Sequence, residues 1–131
     1  MATVQVRYIV NDVDAAIAFY AKRLGFKVEM HPALSFAEIS RGDLHLYLSK
    51  PGAGGGGSAM PSGEQPTPGG WNRIHIKVED LAGTVETLKS EGSRFRNEIV
   101  TGVGGKQILL EDPSGNLIEL FEPFPPADRR N

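Results

Sequence analysis

Two stretches of the chain alternate apolar and polar residues in the same way. Gln5-Val6-Arg7-Tyr8-Ile9-Val10-Asn11-Asp12-Val13 opens the first, and Arg73-Ile74-His75-Ile76-Lys77-Val78-Glu79-Asp80-Leu81 opens the second, at a constant offset of 68. Both are rich in β-branched or aromatic residues, as strands are. Each contains an Asp placed to cap a helix through its carboxylate. The spacing of apolar residues then lengthens. Val13, Ala16, Ile17, Tyr20 and Leu24 fall on one helical face, and so do Leu81, Val85 and Leu88. Gly25 and Gly92 follow, each able to take the left-handed conformation that commonly ends a helix.

The two halves also finish alike. Leu46-Tyr47-Leu48-Ser49-Lys50-Pro51 matches Ile118-Glu119-Leu120-Phe121-Glu122-Pro123 at an offset of 72. Between helix and last strand, two more strands are predicted in each half, near 26–31 and 34–41, then 94–100 and 106–111. Asp112-Pro113-Ser114-Gly115 is the turn of the last hairpin, with Pro presetting φ and Gly accepting φ > 0. Each half is therefore β-α-β-β-β. A unit of about 50 residues buries little core alone, whereas two packed by pseudo-twofold symmetry bury enough. The expected fold is α+β: two four-stranded sheets making an open, curved, barrel-like eight-stranded arrangement around a cleft, with helices outside. The chain is expected to form one domain over 1–131: a first module 1–50, a connecting loop 51–70, a second module 71–124 and a tail 125–131.

Composition sharpens this outline at one place. Residues 51–70 hold eight Gly and four Pro, which is 12 of the 25 in the chain, so this stretch is a linker or mobile loop between structured halves. Elsewhere, 40% apolar and 23% charged residues are ordinary for a globular protein. The net charge of −2 offers no basic surface for nucleic acid or anionic membrane. The absence of cysteine excludes disulfides, thiolate metal sites and cysteine nucleophiles. No apolar run is long enough to span a bilayer. The opening residues lack the charged-then-apolar pattern of a signal peptide, and a cytoplasmic location is expected.

Val10-Asn11-Asp12-Val13-Asp14-Ala15-Ala16-Ile17-Ala18-Phe19-Tyr20 followed by Leu24-Gly25-Phe26, together with Glu111-Asp112-Pro113-Ser114-Gly115-Asn116-Leu117-Ile118-Glu119-Leu120, resembles the vicinal oxygen chelate superfamily. That family includes glyoxalase I, extradiol dioxygenases, fosfomycin resistance enzymes and bleomycin resistance proteins. The resemblance covers nearly the whole chain. It implies the paired-module fold, but one fold hosts many activities.

Metal-dependent members hold a divalent ion with one side chain from the first and one from the last strand of each module. Carried onto this sequence, those positions are Gln5, Tyr47, Arg73 and Glu119. Glu119 is a strong ligand and the Gln5 amide an acceptable one, but Tyr47 is poor and Arg73 is repulsive, because its guanidinium stays charged. At about 4 Å and an effective dielectric of 20, a pair of unit charges interacts by roughly 4 kcal/mol, and a dication doubles that. Arg73 is therefore expected to pair with Glu119 or with an acidic or carbonyl group of a ligand, and no metal or other cofactor is expected. The alternative is a divalent metal ion held by Gln5, His45, His75 and Glu119, with a histidine recruited from each module as in two-His-one-carboxylate sites. It needs each histidine to move about 6.6 Å along its strand. His31, beside Pro32, is read as a surface turn residue.

Gly52-Ala53-Gly54-Gly55-Gly56-Gly57 fits G-x-G-x-x-G formally, but it lies in a Gly/Pro loop with no helix to follow, so it is not a dinucleotide site. Gly104-Gly105-Lys106 lacks the earlier Gly of a phosphate loop. Phe19 and Tyr20 are assigned to the helix and the core. The expected ligand cleft comprises Gln5, Arg7, His45, Tyr47, Ser49, Trp71, Arg73, His75, Leu117, Glu119 and Phe121. Aromatic, imidazole and guanidinium groups around one carboxylate suit a flat, polar-edged molecule. Trp71 is either a wall of that cleft or an anchor for the strand after it. The function expected is non-catalytic sequestration of an aromatic or hydrophobic small molecule, as in the resistance branch of the family, by a homodimer with no catalytic residues. The alternative is a metal-dependent lyase, isomerase or dioxygenase.

Overall fold

The computed structural model describes residues 4–126, so residues 1–3 and residues 127–131 of the predicted tail lie outside the described residues. The described chain divides into two compact units. One runs up to Gly69 and includes Pro113–Asn116; the other comprises Gly70–Asp112 and the residues from Leu117 onward.

In the first unit, β1 (Val6–Ile9) leads into α1 (Val13–Leu24), followed by β2 (Lys27–Ala33), β3 (Phe36–Arg41) and β4 (Leu44–Ser49). The strands form one open sheet in the order β1-β4-β3-β2. β1 runs parallel to β4, placing Arg7 beside Tyr47 and Ile9 beside Ser49, while the other pairings are antiparallel. Asp12 caps α1 as expected, its carboxylate accepting the Ala15 N–H at 3.0 Å. Gly25 ends the helix with φ 72°. The buried face of α1 carries Val13, Ala16, Phe19, Tyr20 and Leu24. Phe19 thus replaces Ile17 on the predicted stripe, since Ile17 is only half-buried. Phe19, Tyr20 and Phe26 pack edge to face at 5.2 and 5.3 Å. This helix contacts β2, β3 and β4, and Tyr8, Ala37, Ile39, Leu46 and Leu48 supply the buried strand residues.

The second unit repeats the plan with β5 (Arg73–Lys77), α2 (Leu81–Ser90), β6 (Arg94–Phe95), β7 (Val100–Thr101), β8 (Gly105–Glu111) and β9 (Leu117–Pro123). β5 lies parallel to β9, which pairs antiparallel with β8; β6 and β7 both pair with β8. Asp80 caps α2 by accepting the Gly83 N–H at 3.0 Å, and Glu122 adds a second acceptor for the Leu81 N–H at 2.8 Å. Leu81, Val85 and Leu88 are buried, as their spacing requires.

Here the sheet departs from the expected four strands. The single strand read over 94–100 is two strands of two residues each, giving five in this sheet. The cause is local. Arg96 N–H still donates to the Leu109 carbonyl, but the Asn97 side chain, in place of a main-chain carbonyl, accepts the Leu109 N–H at 2.9 Å. A side chain substituting for the ladder interrupts it.

The Gly/Pro-rich stretch is counted with the first unit and carries its own hydrogen bonds. Gly52 donates to the Gly57 carbonyl at 2.7 Å, and Gly55–Gly57 makes one 3₁₀ turn. Gly57 is buried so close to the Lys50 carbonyl that a Cβ would lie 2.0 Å from that oxygen. His31 is part of β2, 3.6 Å from Asp14, and is not a turn residue.

Asp112-Pro113-Ser114-Gly115 forms the predicted turn, with Gly115 at φ 87°. Asn116 after it is buried; its amide donates to the Ile9 carbonyl at 2.8 Å and accepts the Gly69 N–H at 2.8 Å. Removing that side chain leaves two main-chain groups unpaired. We expect Asn116→Ala to lower unfolding free energy by about 2–3 kcal/mol. Urea denaturation monitored by circular dichroism checks this, and a loss below about 0.5 kcal/mol would contradict it.

Candidate functional site

Strand alternation divides each sheet into an apolar face and a chemically mixed face. In the first unit the mixed face carries Arg7 from β1, His45, Tyr47 and Ser49 from β4, and Phe36, Glu38 and Ser40 from β3. Cross-strand register pairs Phe36 with Ser49, Glu38 with Tyr47, and Ser40 with His45.

An aromatic cluster lies at one end of this face. Phe36 and Tyr47 meet edge to face at 5.2 Å, and the Arg7 guanidinium stands 5.2 Å from the Tyr47 ring centre. Arg7, Pro32, Ala33, Ser35, Phe36 and Gly54, Gly55 and Gly56 line an open groove of about 520 Å³. That volume lies within the range of small-molecule sites. Ser49 is 2% exposed, and its hydroxyl has no hydrogen-bond partner.

A polar group lies on β2, β3 and β4. His45 Nδ1 is 2.7 Å from Glu38 Oε2, and the Ser40 hydroxyl donates to Glu29 at 2.5 Å. The bond from Ser40 holds the Glu29 carboxyl below the usual carboxylate range, against the opposing effect of desolvation, and Lys27 at 3.3 Å adds to the lowering.

In the second unit the mixed face carries Arg73, His75 and Lys77 from β5 with Leu117, Glu119 and Phe121 from β9. Arg73 folds onto Glu119: Nε donates to Oε1 at 3.0 Å and Nη2 approaches the same oxygen at 3.0 Å. Arg73 Nη1 donates to the Trp71 carbonyl at 3.3 Å. The other oxygen of Glu119 lies 3.4 Å from His75 Nε2, and the His75 ring packs on Phe121 at 5.0 Å. The guanidinium and the carboxylate are thus both engaged inside this unit.

Of the expected cleft residues, Gln5, Arg7, His45, Tyr47 and Ser49 belong to the first unit, and Trp71, Arg73, His75, Leu117, Glu119 and Phe121 to the second. Leu117 is fully buried and offers no accessible surface. Trp71 is 71% exposed, so its indole is not an anchor packed into the core. Phe36, Glu38, Glu29 and Ser40 were missed by sequence reasoning. The signal was present, because Phe36, Glu38 and Ser40 alternate with Ala37 and Ile39, both fully buried.

The donor set does not fit a divalent cation. Arg73 and Glu119 stand at two of the four positions the fold family uses for metal, and Glu119, the one strong ligand among them, is neutralised by Arg73. Among the described residues, no group of three or more His, Asp or Glu is placed to hold a metal ion. In addition, no helix among them is long and apolar enough to cross a membrane.

Residues 3–120 match the Glyoxalase/Bleomycin resistance protein/Dioxygenase superfamily, and the chain belongs to that family. It is similar to a probable chloroplastic lactoylglutathione lyase of Arabidopsis thaliana, with 29% identity over 127 residues, covering 90% of this chain and 35% of that protein. The chain therefore spans about a third of the length of that curated relative. A superfamily member from Sphaerobacter thermophilus superposes with a TM-score of 0.72 and 25% identity, over 93% of this chain and 98% of that one. An antibiotic-binding protein, TnmS3 of Streptomyces sp. CB03234, superposes with a TM-score of 0.69 and 22% identity, over 95% and 99% of the two chains. At that identity the likeness is one of fold.

The Glu29 carboxyl provides a direct test of the β2–β3 contacts. Its depressed pKa means that it favours the folded state at pH above its unfolded value, and this contribution disappears as pH falls through the folded value. Side-chain carbon NMR should show Glu29 titrating below the ordinary Glu range. Ser40→Ala should move the midpoint upward; an unchanged midpoint would remove Ser40 as the cause.

Proposed function

We propose that this protein binds and sequesters a planar aromatic small molecule, of the antibiotic or natural-product type, without transforming it. The observation that carries the reading is the closure of Arg73 on Glu119, which places a fixed cation where the family's metal chemistry would need a ligand. The first unit supplies complementary support: two aromatic rings and a guanidinium beside an open groove of about 520 Å³. The fold likeness to an antibiotic-binding protein is consistent with the same reading. The competing reading is a metal-dependent lyase, isomerase or dioxygenase, favoured by the curated lyase relative. We further propose a homodimer. β2 is exposed along its whole length, with Val28 and Met30 44% and 42% exposed, a surface that a second copy would cover.

The reading predicts binding without turnover. Protein purified without chelator should carry far less than one equivalent of Zn, Ni, Mn or Fe. Calorimetry against a panel of polycyclic aromatic antibiotics should find micromolar or tighter binders that mass spectrometry recovers unchanged. Tyr47→Ala should weaken them by about 5- to 150-fold, the range expected for a buried stacked ring worth roughly 1–3 kcal/mol. Near-stoichiometric metal lost on Glu119→Ala, together with conversion of a bound compound, would establish the enzymatic reading instead.

Sedimentation at micromolar concentration should report a dimer, and replacing Val28 and Met30 by Lys should shift it to monomer. A monomeric wild type would remove the dimer.

A further inference from the structure

Two arginines stand on the mixed faces of the two sheets, and their surroundings differ. Arg73 is held by Glu119 and by the Trp71 carbonyl. Arg7 has no carboxylate partner among the described residues; its contact is with the Tyr47 ring. Its side chain is exposed, and its guanidinium lies against the glycine-rich stretch. The backbone of Gly56 passes so close that a Cβ there would lie 2.3 Å from the guanidinium carbon. Arg7 therefore rests against an aromatic ring and against the backbone of Gly56. The same guanidinium lines the groove that Phe36, Pro32 and Gly54 to Gly56 also line.

A positive charge with no carboxylate partner, resting on the Tyr47 ring and beside Phe36, has one obvious complement. We propose that the ligand of this groove is an aromatic anion, a planar ring system bearing a carboxylate that pairs with Arg7, and that Gly56 is the residue that sets where the guanidinium presents itself. The inference rests on the binding-protein reading above and specifies its ligand class. Arg is the side chain suited to this task, because its planar fork matches a carboxylate with two parallel hydrogen bonds while its face stays on an aromatic ring. Arg73, in contrast, is already satisfied by a carboxylate of its own chain and does not select for another.

Gly56 allows a test that leaves the fold intact. Its φ is not among the positive values, so alanine suits its backbone. What an added methyl would displace is the tip of a flexible Arg7 side chain.

The experiment compares anthraquinone-2-carboxylate with anthraquinone-2-carboxamide, two probes of nearly the same shape and different charge, by calorimetry at low ionic strength. Wild type should bind the carboxylate at least about tenfold more tightly than the amide, as a charge-assisted bond implies. Arg7→Gln should abolish the preference by weakening the acid alone, and Gly56→Ala should reduce it with the circular dichroism spectrum unchanged. Equal affinity of wild type for both probes would overturn the role of Arg7 while leaving the aromatic-binding reading in place. A preference that survives Arg7→Gln and is lost in Arg73→Gln would overturn it by placing the anion on the second unit. Binding of neither probe nor any member of the antibiotic panel would overturn both.

Discussion

A β-strand can bury one row of side chains only if its neighbours bury the same row, and this constraint organises both units. In the first, Tyr8, Ile39, Leu46 and Leu48 share the buried side of the sheet that α1 contacts. In the second, Ile74, Ile76, Ile108, Leu110, Ile118 and Leu120 do the same, with α2 contacting β9. Each such side chain contributes about 1.5–3 kcal/mol on burial, so a slip of one residue in any strand would forfeit several of them at once. Register is fixed by that penalty. The mixed faces hold what remains, and the positions of Arg7, Tyr47, Glu38, His45, Arg73, His75 and Glu119 follow from it.

On that frame the repeat changes its chemistry at matched positions. Register sets Arg7 beside Tyr47 in the first unit and His75 beside Glu119 in the second, and these pairs correspond under the offsets of 68 and 72. A carboxylate at the last-strand position pairs with Arg73 at 3.0 Å and lies 3.4 Å from His75. A phenol ring at the same position attracts a guanidinium without neutralising it, so Arg7 keeps its charge. One substitution between halves, Tyr for Glu, thus separates an internally satisfied site from one with unmet electrostatic demand. An exposed ion pair adds little to stability. Arg73 and Glu119 satisfy each other's charge within the second unit.

Much of this was legible before any coordinates. Asp12 and Asp80 announce helix starts by their side-chain chemistry, Gly25 a helix end, and Asp112-Pro113-Ser114-Gly115 a turn, because each is a local effect of one or two residues. The Arg73–Glu119 pair was legible once the resemblance placed both residues at its metal positions, although a ligand's acidic or carbonyl group was the other expected partner of Arg73. Glu38 and Phe36 escaped notice because attention rested on the first and last strands of each module, where the family places its ligands, and not on β3. The break in the 94–100 strand depends on Asn97 reaching a main-chain group of β8, a long-range choice that local composition does not record. The glycine-rich stretch was recognised as loop, but composition alone could not show that Gly57 folds back onto the Lys50 carbonyl.

That stretch also shows why glycine content alone is a poor guide to function. A run of glycines costs more conformational entropy on ordering than any other sequence, roughly 1–2 kcal/mol per residue. A chain that needed only a spacer would have no reason to order it. Three main-chain hydrogen bonds, from Gly52 to Gly57, Ala53 to Lys50 and Ser58 to Gly55, hold this stretch together. What the glycines provide in return is proximity. Without a side chain, Gly56 comes close to the Arg7 guanidinium, and Gly54 to Gly56 leave the adjoining volume unfilled. Charge, groove and glycine run are therefore parts of one arrangement, in which the first unit presents a cation and keeps space open beside it.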